Sequence, residues 1–291
     1  MNVLVTGGSG FIGSHVVDKL IEKGHFVRIL DLKSPYSNNA DFVNGSILDL
    51  DAVKKAISDV DVIYHFAGVS NIDLVKDNPL RTIEHNILGT ANLLEIARIQ
   101  KIKRFMLASS VYIFDRGGHF YTHSKKVAEE LCQYYQDIYL LPYTIMRLAT
   151  AYGPRSRGED VISIFIKNSL EGKTMSVKGG GSQIRNFIYV EELAEGCVKA
   201  LSERCKNSII TLAGTEQINI RELSLLVKKL FGDRVRIKIE SGNNRDSDYL
   251  GVIENIDGSF EMLDWKPAIN LERGIKKYID WCKLSSKFEY N

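Results

Sequence analysis

Tyr121 and Lys125, in the run Tyr121-Thr122-His123-Ser124-Lys125, carry the most distinctive chemistry in this 291-residue chain. On a helix, a spacing of four puts the phenol and the ammonium on one face. A free tyrosine titrates near pH 10, so only about one molecule in a thousand is phenolate at neutral pH. Making it a useful base takes about 4 kcal/mol of preferential stabilisation of the anion. One adjacent ammonium and one further positive charge in a water-poor site are of the right size to supply it. Ser109-Ser110, closing an apolar run at 104–108, offers a hydroxyl that can reach the same substrate oxygen.

A second constellation lies at the start of the chain. The apolar run 3–5 passes at once into Thr6-Gly7-Gly8-Ser9-Gly10-Phe11-Ile12-Gly13 and then into a helical pattern. Gly7 and Gly10 permit a tight turn and close approach of backbone to a pyrophosphate. Gly13 lets the helix pack on the sheet, and the helix N-terminus supplies N–H donors. Asp31 ends the second apolar run 18 positions after Gly13. A carboxylate there accepts both ribose hydroxyls of a dinucleotide and repels a 2′-phosphate, which favours NAD over NADP. Oxidised nicotinamide would then be the further positive charge beside Tyr121.

The elements that must position these groups follow an alternating pattern. Apolar runs at 2–5, 26–30, 62–65, 104–108 and 143–148 alternate with helical periodicity at 11–23, 52–57, 80–100 and 121–139. Repeated β-α-β units of this kind predict a Rossmann-like, doubly wound α/β fold with about six parallel strands. Gly153-Pro154 breaks the pattern, so residues 1–155 are expected to form the NAD-binding domain and 156–291 mainly a smaller C-terminal substrate lobe. The run 208–212 reads as a buried strand that rejoins the main sheet. Thirty-eight Lys and Arg against 36 Asp and Glu give a net charge of +2, which provides no broad basic field for nucleic acid. Cys132, Cys197, Cys205 and Cys282 lack zinc or disulfide spacing, and the six histidines form no metal pattern. With no signal-peptide pattern and no apolar run of membrane-spanning length, a soluble, cytoplasmic protein is expected.

Together, TGGSGFIG, Asp31, Phe66-Ala67-Gly68 and Asn86 with Gly89-Thr90 resemble the extended short-chain dehydrogenase family, the NAD-dependent epimerases and dehydratases. Residues 1–15 closely resemble its UDP-galactose 4-epimerase members. The resemblance implies that Gly45, Ser46 and Ile47 flank the adenine, that Phe66, Ala67 and Gly68 line the nicotinamide side, and that Asn86 supports the active-site loop. It also implies that Lys125 binds the nicotinamide ribose while setting the acidity of Tyr121. The family commonly places its catalytic serine three residues before a V-Y-G-like segment. Matching that segment to Ile113-Phe114-Asp115 selects Ser110, whereas matching it to Val111-Tyr112 selects Ala108 or slips the role to Ser109. Only 11 positions separate Ser110 from Tyr121, so the pocket roof is expected to be reduced. Val111 and Tyr112 stand where 4,6-dehydratases carry an acidic pair, and no cysteine neighbours Ser110. Water loss and epimerisation at carbons 3 and 5 are therefore disfavoured.

For the substrate lobe, residues 147–155 (R-L-A-T-A-Y-G-P-R) resemble the family's R-x-x-N-V-Y-G-P segment with Thr150 in place of Asn. Residues 181–190 match a run whose arginine, here Arg185, binds phosphate. Arg245 with Asp248 resembles a later R-x-x-D feature, where arginine meets phosphate and Asp meets a nucleotide ribose. Charge-assisted bonds of this kind contribute about 1.5–3 kcal/mol each, enough for two arginines to select a nucleotide-diphosphate sugar over a free sugar. The expected activity is NAD-dependent epimerisation at carbon 4 through a transient keto-sugar. A 4-dehydrogenase or 4-ketoreductase using the same residues is the alternative, and a non-catalytic dinucleotide sensor the rival of another class. By analogy with dimeric relatives, helices 80–100 and 121–139 are expected to pair in a homodimer.

Overall fold

The computed structural model describes residues 1–70, 75, 77–114, 120–232, 235–240, 253 and 256–285. The expectations placed on Arg245 and Asp248 lie outside these described residues. Strands β1 (Asn2–Thr6), β2 (Phe26–Asp31), β3 (Asp41–Asn44), β4 (Val62–His65), β5 (Arg104–Ser110) and β6 (Tyr143–Leu148) are joined by β10 (Ser208–Leu212) in one seven-stranded sheet, order β10-β6-β5-β4-β1-β2-β3. Every pairing in it is parallel. The chain builds outward from β1 in one direction, then returns to β4 and builds in the other. The carboxyl ends of β1 and β4 therefore border the crevice where ligands bind in such sheets.

Alternation along β1 explains why both faces are covered. Val3 and Val5 pack with Val16, Val17 and Leu20 of α1 (Phe11–Glu22) and with Leu193, Ala194 and Cys197 of α7 (Val190–Lys199). Leu4 joins the opposite core with Val53 and Ile57 of α2 (Leu50–Ile57), Leu93 and Leu94 of α4 (Gly89–Ile99), and Ala128 and Cys132 of α5 (Phe120–Tyr139). Each such buried aliphatic side chain contributes about 1.5–3 kcal/mol, so the position of the strand ends is strongly determined.

The helix expected over 80–100 is three pieces: α3 (Pro79–Ile83), a π-helical turn over Glu84–Leu88, and α4. Such π turns recur at functional positions, and here the turn carries the buried Asn86. The serines also sit differently, since β5 runs through Ser110 and both serines belong to the strand.

A third core underlies the smaller layer. It gathers Tyr152 of β7 (Thr150–Tyr152), Phe165 of α6 (Val161–Leu170), Phe187 of β9 (Ile184–Tyr189), Leu223 of α8 (Ile220–Phe231) and Tyr278 of α10 (Leu271–Leu284). β9 lies between β7 and β11 (Gln217–Asn219), while β8 (Met175–Val177) pairs with β12 (Ile237–Ile239). α7, β10 and α9 (Ile256–Leu263) pack with the main sheet. The chain thus crosses between the layers repeatedly after residue 155. No helix among the described residues is long and apolar enough to cross a membrane.

Candidate active site

A cleft of about 1200 Å³ opens at the carboxyl ends of the central strands. At its floor, Gly7 has φ +72°, and a Cβ there would stand 2.6 Å from the backbone nitrogen of Ala67. A Cβ on Gly13 would come within 2.2 Å of the Gly7 carbonyl oxygen. Neither position accepts a side chain without moving backbone. The turn is closed by Gly10 N–H donating to Gly7 O at 3.0 Å, and Gly10 is the N-cap of α1. Among the described residues no side chain caps this helix, so its first-turn donors suit an anionic diphosphate.

Asp31 stands at the end of β2. Its Oδ2 accepts from Ser9 N–H and its Oδ1 from Lys33 N–H, each at 3.0 Å. These bonds fix the carboxylate facing the cleft with lone pairs to spare for ribose hydroxyls. Gly7, Gly10, Phe11, Ile12, Gly13, Asp31, Ser46, Ile47, Phe66, Ala67 and Gly68 all line the cleft, as do Ser110, Tyr121, Lys125, Thr150 and Arg185. The residues present fit a dinucleotide.

Asn86 is not part of that wall. Only 2% exposed, it accepts from Val69 N–H at 2.8 Å, and its amide donates to Val69 O at 2.9 Å and to Ser124 Oγ at 3.0 Å. It therefore ties the loop after β4 to the helix that carries Tyr121 and Lys125. A Cβ on Gly68 would lie 2.6 Å from Asn86 Oδ1, so this clamp also requires a glycine at 68. His65 supports the loop from below, between Thr6 Oγ1 at 2.8 Å and Thr90 Oγ1 at 2.9 Å. Its burial lowers its pKa to about 3, with the Lys125 charge acting in the same direction.

At the inner end of the cleft, Tyr121 is 9% exposed and the Ser110 hydroxyl lies beside its phenol, where it favours the ionised form. Ser110 Oγ also accepts from Tyr112 N–H at 3.2 Å. Ser109 instead donates to Glu129, so of the two serines it is Ser110 whose hydroxyl meets the phenol. Burial raises the Tyr121 pKa to about 12, against the opposing effect of the Ser110 hydroxyl. The expected lowering calls on the Lys125 ammonium together with the positive nicotinamide, and this value is that of the protein without the cofactor. The ammonium lies 6.0 Å from the phenol ring centroid and donates to Ala108 O at 2.8 Å, so in the protein alone desolvation outweighs its charge. Lys125 itself is brought down to about 8 by burial, with Glu129 and Cys132 pulling the other way.

Sequence reading missed the group behind this wall, Ser109, Glu129 and Arg147. Its signal was present: Tyr121, Lys125 and Glu129 recur at four-residue intervals on one helical stripe. It also missed Arg155 and Arg157, which line the cleft from the segment after Gly153. Arg155 pairs with Asp18 of α1 at 2.7 Å, and His15 bonds Pro154 O at 2.9 Å. That segment is thereby fastened across the cofactor helix.

A doubly wound parallel sheet with a glycine turn, an acid at the end of β2 and a Tyr–Lys pair at its crevice defines a dinucleotide-binding α/β protein. Consistent with this, the sequence model of the NAD-dependent epimerase/dehydratase family matches residues 3–213, and the chain belongs to that family. NAD is its cofactor. A Methanocaldococcus jannaschii protein provisionally named UDP-glucose 4-epimerase is 35% identical over 314 aligned positions, covering 98% of this chain and 99% of that one. UDP-glucuronic acid decarboxylase 1 of Danio rerio is 30% identical over 99% of this chain and 74% of its own length. The solved structure of UDP-glucuronic acid 4-epimerase from Bacillus cereus, in complex with UDP-glucuronic acid and NAD, superposes with a TM-score of 0.88 at 25% identity, over 97% of this chain and 99% of that one. Relatives thus include both epimerases and decarboxylases that act on UDP-sugars.

Proposed function

We propose that this protein is an NAD-dependent epimerase that inverts carbon 4 of a UDP-sugar through a transient keto-sugar. The observation that carries the reading is the convergence of Ser110, Tyr121 and Lys125 at the inner end of the cofactor cleft, with the ammonium 6.0 Å from the phenol ring centroid. Tyr121 takes the proton from the sugar hydroxyl and later returns it. Ser110 holds the oxygen, first as hydroxyl and then as keto group. Lys125 supplies positive charge near the phenol and, on the family pattern, a donor to the nicotinamide ribose. NAD, held by the glycine turn and Asp31, would supply the hydride-accepting and hydride-donating chemistry at carbon 4. A phenol near 12 is well matched to returning a proton. As a base it depends on positive charge gathered in the cleft, so ionisation is coupled to cofactor binding. Arg185 and Thr150 line the cleft and are assigned to the substrate diphosphate, and Arg245 with Asp248 are assigned to the same nucleotide.

In this reading residues 1–155, with β10, form the cofactor domain, and the substrate lobe is drawn mainly from 156–291. The exposed apolar residues Leu80, Leu88, Ile99, Tyr134, Ile138 and Leu140 lie on or beside α3 to α5, which suits pairing of two copies there. Light scattering showing a monomer at micromolar concentration would remove that assignment.

Decarboxylation is a second reading, favoured by the 30% identical UDP-glucuronic acid decarboxylase. It shares the oxidation at carbon 4 and then loses carbon dioxide from a uronic acid. Incubation with UDP-glucose, UDP-galactose, UDP-glucuronic acid and their N-acetylated counterparts, with products identified by NMR, separates the outcomes. Carbon-4 epimers without net NADH are expected. Carbon dioxide release with a pentose product supports the second reading, and NADH formed in step with keto-sugar release identifies a dehydrogenase. Tyr121→Phe should abolish turnover while NAD binding persists, and full activity in that variant overturns the mechanism.

A further inference from the structure

Behind the catalytic wall, Glu129 is 5% exposed and lies four residues beyond Lys125 on α5. Its carboxylate accepts from the Ser109 hydroxyl and from Arg147, through Nε at 3.1 Å and Nη2 at 2.7 Å. Ser109 directly precedes Ser110 on β5, and Arg147 is its register partner on β6. The guanidinium also stacks over Phe114, 5.1 Å from the ring centroid. One carboxylate thus joins β5, β6 and the active-site helix immediately under Ser110 and Lys125.

Buried ion pairs contribute little to stability compared with apolar packing of the same volume. The place of this one is therefore informative. The titratable groups around Lys125 are Tyr121, Glu129 and Cys132 on its own helix, His65 on β4 and, bonded to Glu129, Arg147 on β6. Burial keeps the Tyr121 phenol and the Cys132 thiol protonated and His65 neutral at pH 7. Glu129 forms the buried ion pair with Arg147 at 2.7 Å.

We propose that Glu129 is a positioning residue for the catalytic set. Through Ser109 it holds the end of β5 so that Ser110 faces Tyr121, and from one turn along the same helical face it presents its ion pair with Arg147 to Lys125. The proposal rests on the reading of Tyr121 and Lys125 above.

The test is a ¹³C NMR titration of ¹³Cε-lysine-labelled protein with NAD bound, the Lys125 signal assigned by its loss in Lys125→Met. Glu129→Gln should lower the Lys125 midpoint by about one pH unit, and Arg147→Met should leave it at or above the original value. The alkaline limb of the kcat profile should move with it. A folded Glu129→Gln protein with an unchanged or raised midpoint overturns the proposal. Should that variant not fold, Glu129→Gln/Arg147→Met, which leaves no buried charge unpaired, takes its place; its midpoint should also fall, and an unchanged one counts against the proposal equally. Because the midpoint is read without turnover, failure of the catalytic reading shows separately, as activity retained in Tyr121→Phe.

Discussion

Replacing Lys125 by Met should abolish turnover and at the same time stabilise the fold. A lysine that titrates at about 8 in place of its ordinary 10.5 carries about 3 kcal/mol of unfavourable free energy as an ammonium at pH 7. Methionine matches the length and apolar character of the lysine stem and has no charge to desolvate. Against this gain stands the hydrogen bond to Ala108 O, whose loss costs about 1 kcal/mol. The net expectation is about 2 kcal/mol of added stability at pH 7. The sign with pH follows from linkage: below pH 8 folded and unfolded chains both hold the proton, and the full penalty is present. Between 8 and 10.5 the unfolded chain holds it and the folded chain does not, so the stability of the unmodified protein climbs and the advantage of Met shrinks. Urea denaturation of NAD-free protein at pH 7 and at pH 9.5 measures both, with cofactor contacts kept out of the comparison. A Met variant less stable than the parent at pH 7, by an amount that does not change with pH, would refute the reasoning.

Asp31→Ala should weaken NAD binding and relieve discrimination against NADP, because the acid lines the cleft at the end of β2, where a ribose is expected; calorimetric titration with both cofactors checks this, and equal affinity of the unmodified protein for the two would dispose of the role. Gly13→Ala forces a methyl against the Gly7 carbonyl and should cost about 1–3 kcal/mol of stability together with NAD retention, read by thermal unfolding and by cofactor content after gel filtration. Arg185→Ala and Arg245→Ala should each raise KM for the UDP-sugar with a smaller effect on kcat, since a diphosphate contact is kept from ground state to transition state; steady-state kinetics with KM unchanged in both would take them out of the site.

The features legible in the sequence are those in which chemistry and position are encoded within a few residues. Gly7 and Gly13 sit between a strand and a helix because only glycine fits where backbone meets backbone. Tyr121 and Lys125 share a face because a helix turns every 3.6 residues, and apolar runs alternating with helical periodicity define a parallel sheet covered on both faces. What tertiary structure decided were choices between locally equivalent possibilities. Ser109 and Ser110 are adjacent and chemically alike, and only the packing of α5 across β5 sends one to Glu129 and the other to Tyr121. Asn86 read as a support for the active-site loop, and it is a π turn, invisible in the sequence, that folds it inward to clamp that loop. Arg147 read as one more residue of a junction motif, and the sheet register made it the partner of a glutamate 18 positions earlier. The ionisation of Tyr121 and Lys125 depends most of all on the assembled protein, because desolvation is summed over segments far apart in the chain and here outweighs the charge that their spacing alone would suggest.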